Sequence, residues 1–159
     1  QIMRHAANII AYDRVGIADF SAPSREPRFY MVDLIQGKIE TMLVAHGRGS
    51  DPEHTGFAQR FSNELGSLAT STGAYLTGQH YVGIHGNAQR LYGLDYTNYN
   101  ADIRAIVIHS AWYVGQNVIE QQGKIGRSEG CFTFSTDDLP QILAQLGPGR
   151  LLYAAQSLA

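Results

Sequence analysis

Four consecutive apolar residues, Ala105-Ile106-Val107-Ile108, run directly into His109. A continuous apolar run of this length, bounded by polar residues, reads as a central strand covered on both faces. The strand signal extends over 103–109. Other β-rich runs agree with it. Phe29, Met31 and Leu34, then Ile39, Met42 and Val44, form a hairpin pattern from Arg28 to Ala45, turning at Gln36-Gly37-Lys38. Further strands are expected at 80–84, 90–94 and, closing the fold, 151–155. The one strong helical signal is 136–146, where Leu139, Ile142, Leu143 and Leu146 share a face. Thr136 or Asp137 can cap it, and Gly147-Pro148-Gly149 ends it. The stretches 57–73 and 114–124 read as loop, the second as a flexible connection. The expectation is a mainly β domain with one helix near the C-terminus.

Composition narrows the class. A chain of 159 residues fits one domain, and 16% charged residues against 44% hydrophobic argues for a packed core. Net charge is −2 and no basic run occurs, which speaks against nucleic acid and against a polybasic membrane patch. No apolar run nears the ~20 residues of a membrane span. The chain opens at Gln1, which reads as a processed form whose signal peptide has been removed. Its one cysteine, Cys131, cannot form an internal disulfide or, alone, a thiolate zinc site, and no cofactor is expected.

Cys131 follows the turn Gly126-Arg127-Ser128-Glu129-Gly130 and precedes Phe132-Thr133-Phe134. A thiol between a glycine turn and a strand is presented at an edge, where backbone N–H groups can face an oxyanion. A buried core cysteine is the plainer alternative. A thiol nucleophile needs a base. His46, His85 and His109 each terminate an apolar run, and spacing alone leaves open which of them faces Cys131. A metal centre built from all three is a rival, though no H-x-x-x-H or carboxylate spacing supports it. Arg127 is a candidate anchor for a substrate carboxylate, whereas Arg104 reads as structural. Gly47-Arg48-Gly49-Ser50 lacks the lysine of a phosphate loop. Tyr92, Tyr96 and Tyr99 suit either a sugar–peptide groove or strand packing.

Taken together, Ile106-Val107-Ile108-His109-Ser110-Ala111 followed by Gly126-Arg127-Ser128-Glu129-Gly130-Cys131 resembles the L,D-transpeptidase catalytic domain, whose signature is a histidine, a spacer and Ser-x-Gly-Cys. Asp33-Leu34, the segment from Val44 to Ser50, Tyr81-Val82-Gly83-Ile84-His85-Gly86, Leu91-Tyr92-Gly93-Leu94 and Asn100 resemble the murein branch of that family. The resemblance covers most of residues 28–153. It implies a β-sandwich of mixed sheets, with residues 1–27 as an extension and 28–159 as one catalytic domain. It further implies Cys131 as nucleophile, His109 as base, and Ser128 and Gly130 as shapers of the turn. Ser110, His85, Tyr99, Asn100 and Arg127 become substrate-binding candidates.

Three departures stand out. Ser110 follows the histidine where relatives often have glycine, and Phe132-Thr133 follows the cysteine where many have Pro-Ala. The arginine commonly placed soon after the cysteine is missing, and Arg127 is the expected substitute. The resemblance implies a peptidoglycan enzyme of the bacterial cell envelope, periplasmic or secreted. It would release D-alanine from a tetrapeptide stem, form a 3→3 cross-link, and react with carbapenems. The alternatives are an L,D-carboxypeptidase using water and an inactive wall-binding domain.

Overall fold

The computed structural model describes residues 1–157. Eight strands form one mixed sheet: β1 (Arg14–Asp19), β2 (Phe29–Asp33), β3 (Lys38–Met42), β4 (Gly73–Gly83), β5 (Gly86–Gly93), β6 (Val107–Ser110), β7 (Phe132–Phe134) and β8 (Leu151–Ala155). Their order is β3-β2-β1-β8-β4-β5-β6-β7. Ala45, three residues beyond β3, bridges to Thr133 of β7, so the sheet curls until its two ends meet. The mainly β expectation holds. The opposed halves of this one sheet enclose the core, where Phe29, Tyr75, Leu91, Ile108, Phe132 and Leu152 meet α2 (Leu139–Gln145). Burying those side chains supplies the main driving force for closure.

The hairpin expected over 28–45 is β2 and β3, turning through Gly37 in the left-handed region at φ 67°. Strand β8 lies at 151–155 as expected, yet it sits mid-sheet, parallel to β1 and antiparallel to β4. No strand was expected at 14–19. Three local readings need correction. The helix begins at Leu139, and neither Thr136 nor Asp137 caps it; Asp138 N–H donates to Ser135 Oγ instead. The stretch 114–124 contains α1 (Gln116–Gln122), which buries Val118 and stops at Gly123 in the left-handed conformation. Residues 103–105 are turn, with Ala105 at φ 54°, and β6 begins only at Val107. The last two residues of the span 28–159 lie outside the described residues.

Candidate active site

Strands β6 and β7 run parallel with His109 opposite Thr133. Cys131 lies in the bend directly before β7, two residues from Thr133. Cys131 and His109 open into a cavity of about 600 Å³, which Ser128, Arg127 and His85 also line.

The turn before Cys131 is held from several sides. Ser128 Oγ donates to the Cys131 carbonyl (2.7 Å) and accepts from Gly130 N–H (3.2 Å). Ser128 N–H donates to the His46 carbonyl, and Arg48 N–H donates to the Ser128 carbonyl. Gly130 adopts φ 116°, and a Cβ there would meet the Ala69 carbonyl at 2.9 Å and Ile106 Cδ1 at 2.8 Å. Only glycine fits this conformation and this space.

Cys131 is half-buried, and its thiol donates to the Ala105 carbonyl at 3.5 Å. Burial pushes the thiol up from its ordinary range; the Val107 N–H and Arg104 pull against that, while Glu129 adds to it. His109 is buried in β6. Its Nδ1 contacts the Ser110 carbonyl (2.9 Å) and its Nε2 contacts Thr133 Oγ1 (3.1 Å). A carbonyl can only accept, so Nδ1 carries the proton and Nε2 holds the lone pair. Ser110 thus acts through its backbone. Burial pushes the His109 imidazole down, His85 does so too, and the Ser110 carbonyl opposes both. The resting pair is a neutral thiol and a neutral imidazole.

The other histidines separate cleanly. His85 is exposed in the β4–β5 turn and stacks on His109, with ring centroids 4.2 Å apart and planes at 14°. His46 is buried, with Nδ1 accepting from Arg28 (2.7 Å) and Nε2 against Asp51 (3.2 Å). The three do not converge, and no group of three or more His, Cys, Asp or Glu among the described residues is placed to hold a metal. No helix among those residues is long and apolar enough to cross a membrane.

Arg127 borders the cavity, with Nη1 donating to the Asp51 and Pro52 carbonyls. Arg104 ties the 62–71 loop to the site through the Ser62 and Ala69 carbonyls and the Ser67 and Ser71 hydroxyls. Tyr99 and Asn100 line a different hollow and do not face Cys131. Sequence reading passed over Thr133 as a contact of the base. The signal is its position opposite His109, visible only once β7 is paired with β6.

The family profile described as the L,D-transpeptidase catalytic domain matches residues 2–155. No curated protein matches the chain. Similar solved folds include an L,D-transpeptidase from Mycobacterium smegmatis, at TM-score 0.52 and 14% identity, covering 90% of this chain and 58% of that one. The L,D-transpeptidase LdtMt1 in complex with imipenem gives 0.52 and 16%, covering 90% and 59%. The helical cell shape determining protein Pgp2 from Campylobacter jejuni gives 0.53 and 13%, covering 96% and 51%. At these identities the likeness is one of fold, and this chain spans less than two thirds of each of those chains.

Proposed function

The chain belongs to the L,D-transpeptidase catalytic domain family, and from that premise we propose that it performs acyl transfer on peptidoglycan stem peptides, with Cys131 as nucleophile and His109 as base. The observation that carries this reading is that His109 on β6 and Cys131 directly before β7 line one cavity.

His109 Nε2 takes the thiol proton of Cys131. The sulfur then attacks the carbonyl carbon of the L-centre of the third, diaminoacid residue of a tetrapeptide stem, forming a C–S bond and an oxyanion. The Gly130 N–H is engaged by Ser128 Oγ, and the proposed oxyanion donors are other backbone N–H groups around Cys131. Collapse breaks the C–N bond, and the imidazolium proton passes to the departing amine of D-alanine. An amine of a neighbouring stem next attacks the thioester carbonyl and gives up a proton to His109; the C–S bond breaks, the imidazolium returns the proton to the sulfur, and a 3→3 cross-link and the free thiol remain. Water in place of that amine would give an L,D-carboxypeptidase. Ser128 and Gly130 hold the nucleophile's turn, and Arg127 at the cavity wall is the anchor for a stem carboxylate. This substrate places the working protein in the bacterial cell envelope.

Intact mass after incubation with a carbapenem, beside Cys131→Ala, tests the site. The imipenem complex of a protein with the same fold motivates the probe. The expected result is an adduct on the native chain alone, with muropeptide digests that lose D-alanine and gain 3→3 dimers. Trimmed stems without dimers would make water the acceptor. No adduct and untouched muropeptides would overturn the enzyme reading in favour of a wall-binding domain.

A further inference from the structure

Two shallow hollows of about 360 and 440 Å³ share Phe61, Thr72, Tyr96 and Thr97, and so form one continuous trough. Its most prominent features are Tyr96, 87% exposed, and Tyr99, 57% exposed, with ring centroids 5.8 Å apart and planes tilted by 44°. The core does not require them there, because both rings stand in solvent. The chain beneath them is nonetheless firmly held. Asn98 Nδ2 donates to the Ala74 carbonyl (2.8 Å), Thr97 Oγ1 to the Thr72 carbonyl (2.7 Å), and Asn100 N–H to Asn63 Oδ1 (3.0 Å). Two amphipathic rings are therefore displayed on a rigid base, the arrangement that loses least entropy on binding.

The charge of the trough limits its occupant. The hollow bearing Tyr99 contains one acidic side chain, Glu64, and no basic one. The adjoining hollow adds Arg4 and Asp95, which lie 3.7 Å from each other. Nothing here resembles the unpaired cationic cradle that a phosphate or an acidic peptide requires. Flat aromatic faces among amide and hydroxyl groups suit a neutral ligand with apolar C–H faces and a periphery of hydroxyl and acetamido groups.

The position of the trough fits the same ligand. Asn63 and Glu64 line the trough, and the next residue, Leu65, lines the catalytic cavity. One loop thus borders both the cavity that holds Cys131 and the hollow that holds the tyrosines. We propose that this trough binds the polysaccharide backbone, a strand of N-acetylated hexosamines, and thereby selects stems still attached to glycan. The inference rests on the peptidoglycan reading of the Cys131 site.

The probe is chitotetraose, the β-1,4 tetramer of N-acetylglucosamine, which carries no peptide, titrated into the full chain by calorimetry or amide chemical shifts. The native protein and Cys131→Ala bind it. The Tyr96→Ala/Tyr99→Ala double variant binds about tenfold more weakly or worse, as loss of two aromatic faces predicts. Unchanged thermal unfolding of that variant verifies its fold. In kinetics, its kcat/KM on a glycan-linked tetrapeptide falls about tenfold further than on the free tetrapeptide. Absence of tetrasaccharide binding by the native chain overturns the proposal, as does equal binding by the double variant. Equal losses on both substrates also overturn it, since the trough would then read peptide. Native turnover of either substrate checks the acyl-transfer reading separately: sugar binding that depends on the tyrosines, with neither the free nor the glycan-linked tetrapeptide turned over, upholds the trough and removes only the enzyme assignment.

Discussion

Thr133 Oγ1 lies 3.1 Å from Nε2 of His109, so the lone pair proposed to accept the thiol proton is covered by a hydroxyl on the neighbouring strand. The thiol of Cys131 meanwhile donates to the Ala105 carbonyl. The proposed base and nucleophile each have another partner at rest, and in the proposed reaction activation exchanges these hydrogen bonds. Thr133 belongs to the Phe132-Thr133 pair that departs from the Pro-Ala expected from the resemblance.

Thr133→Val keeps the shape of the side chain and removes the hydroxyl. A neutral hydrogen bond is worth about 1 kcal/mol net, equivalent to roughly a fivefold change in rate. Alkylation of Cys131 by iodoacetamide at neutral pH is expected to speed up by about that factor, with thermal unfolding little changed. A slower reaction would show that the hydroxyl orients the imidazole productively, and the restraint would be refuted.

His85 acts on the base through its stacked ring. Its charge contributes to holding the His109 imidazole below the ordinary histidine range, after burial. In His85→Ala the like charge disappears and solvent gains access, and both changes raise the His109 pKa. The acid limb of the kcat/KM profile should move to higher pH while a measurable part of the activity survives. His109→Ala should abolish activity. A ranking in which His85→Ala is the more damaging variant would reverse the assignment of the base.

Much of this arrangement is legible in the chain, and what is hidden has physical reasons. The hairpin at 29–42 declares itself because alternation and Gly37 act locally. Strand β8 declares its residues but not its central place, which depends on partners 75 to 136 positions away. Strand β1 escapes notice because Gly16 and Ala18 weaken the β signal of Val15 and Ile17. The helix α1 buries only Val118, too little for an amphipathic stripe. Cys131 and its glycine turn are visible as a motif. Spacing alone does not decide among the three histidines, and only the resemblance singles out His109, because the engagement of His46 and the exposure of His85 are products of the closed sheet.

Gly130 should tolerate no side chain. In Gly130→Ala the φ of 116° is strained, and backbone lies on one side of the new methyl, so no flexible neighbour can yield. Strain of this kind costs about 1–3 kcal/mol, and any shift that relieves it displaces Cys131. The expected outcome is a lower unfolding temperature together with carbapenem acylation reduced at least about tenfold. Gly66→Ala has an unfavourable φ of 77° but nothing within 4 Å of the added methyl. It should lose some stability and little reactivity. Equal reactivity of the two variants would remove the geometric role given to Gly130.

The buried trio of Arg28, His46 and Asp51 should make the fold acid-sensitive. Arg28 is fully buried, donates to the Val44 and Ala22 carbonyls, and lies 4.9 Å from the Phe20 ring centroid. Burial lowers its pKa to about 9, so it remains charged at neutral pH. Its Nη2 donates to His46 Nδ1, which leaves the single imidazole proton on Nε2, facing Asp51. A second proton would set donor against donor. Burial, then Arg28, lowers the His46 pKa to about 4, with Asp51 opposing. The unfolded chain takes up that proton near pH 6.5. Between these values the unfolded state binds more protons, so stability falls as pH drops, by about 3 kcal/mol over the whole interval. His109, also depressed, adds a loss of the same sign. Urea unfolding midpoints at pH 7.5, 5.5 and 4.5 should therefore decline. His46→Gln should start lower at pH 7.5 and decline less. A native midpoint that stays level from pH 7.5 to 4.5 would show that His46 is not held neutral by this network.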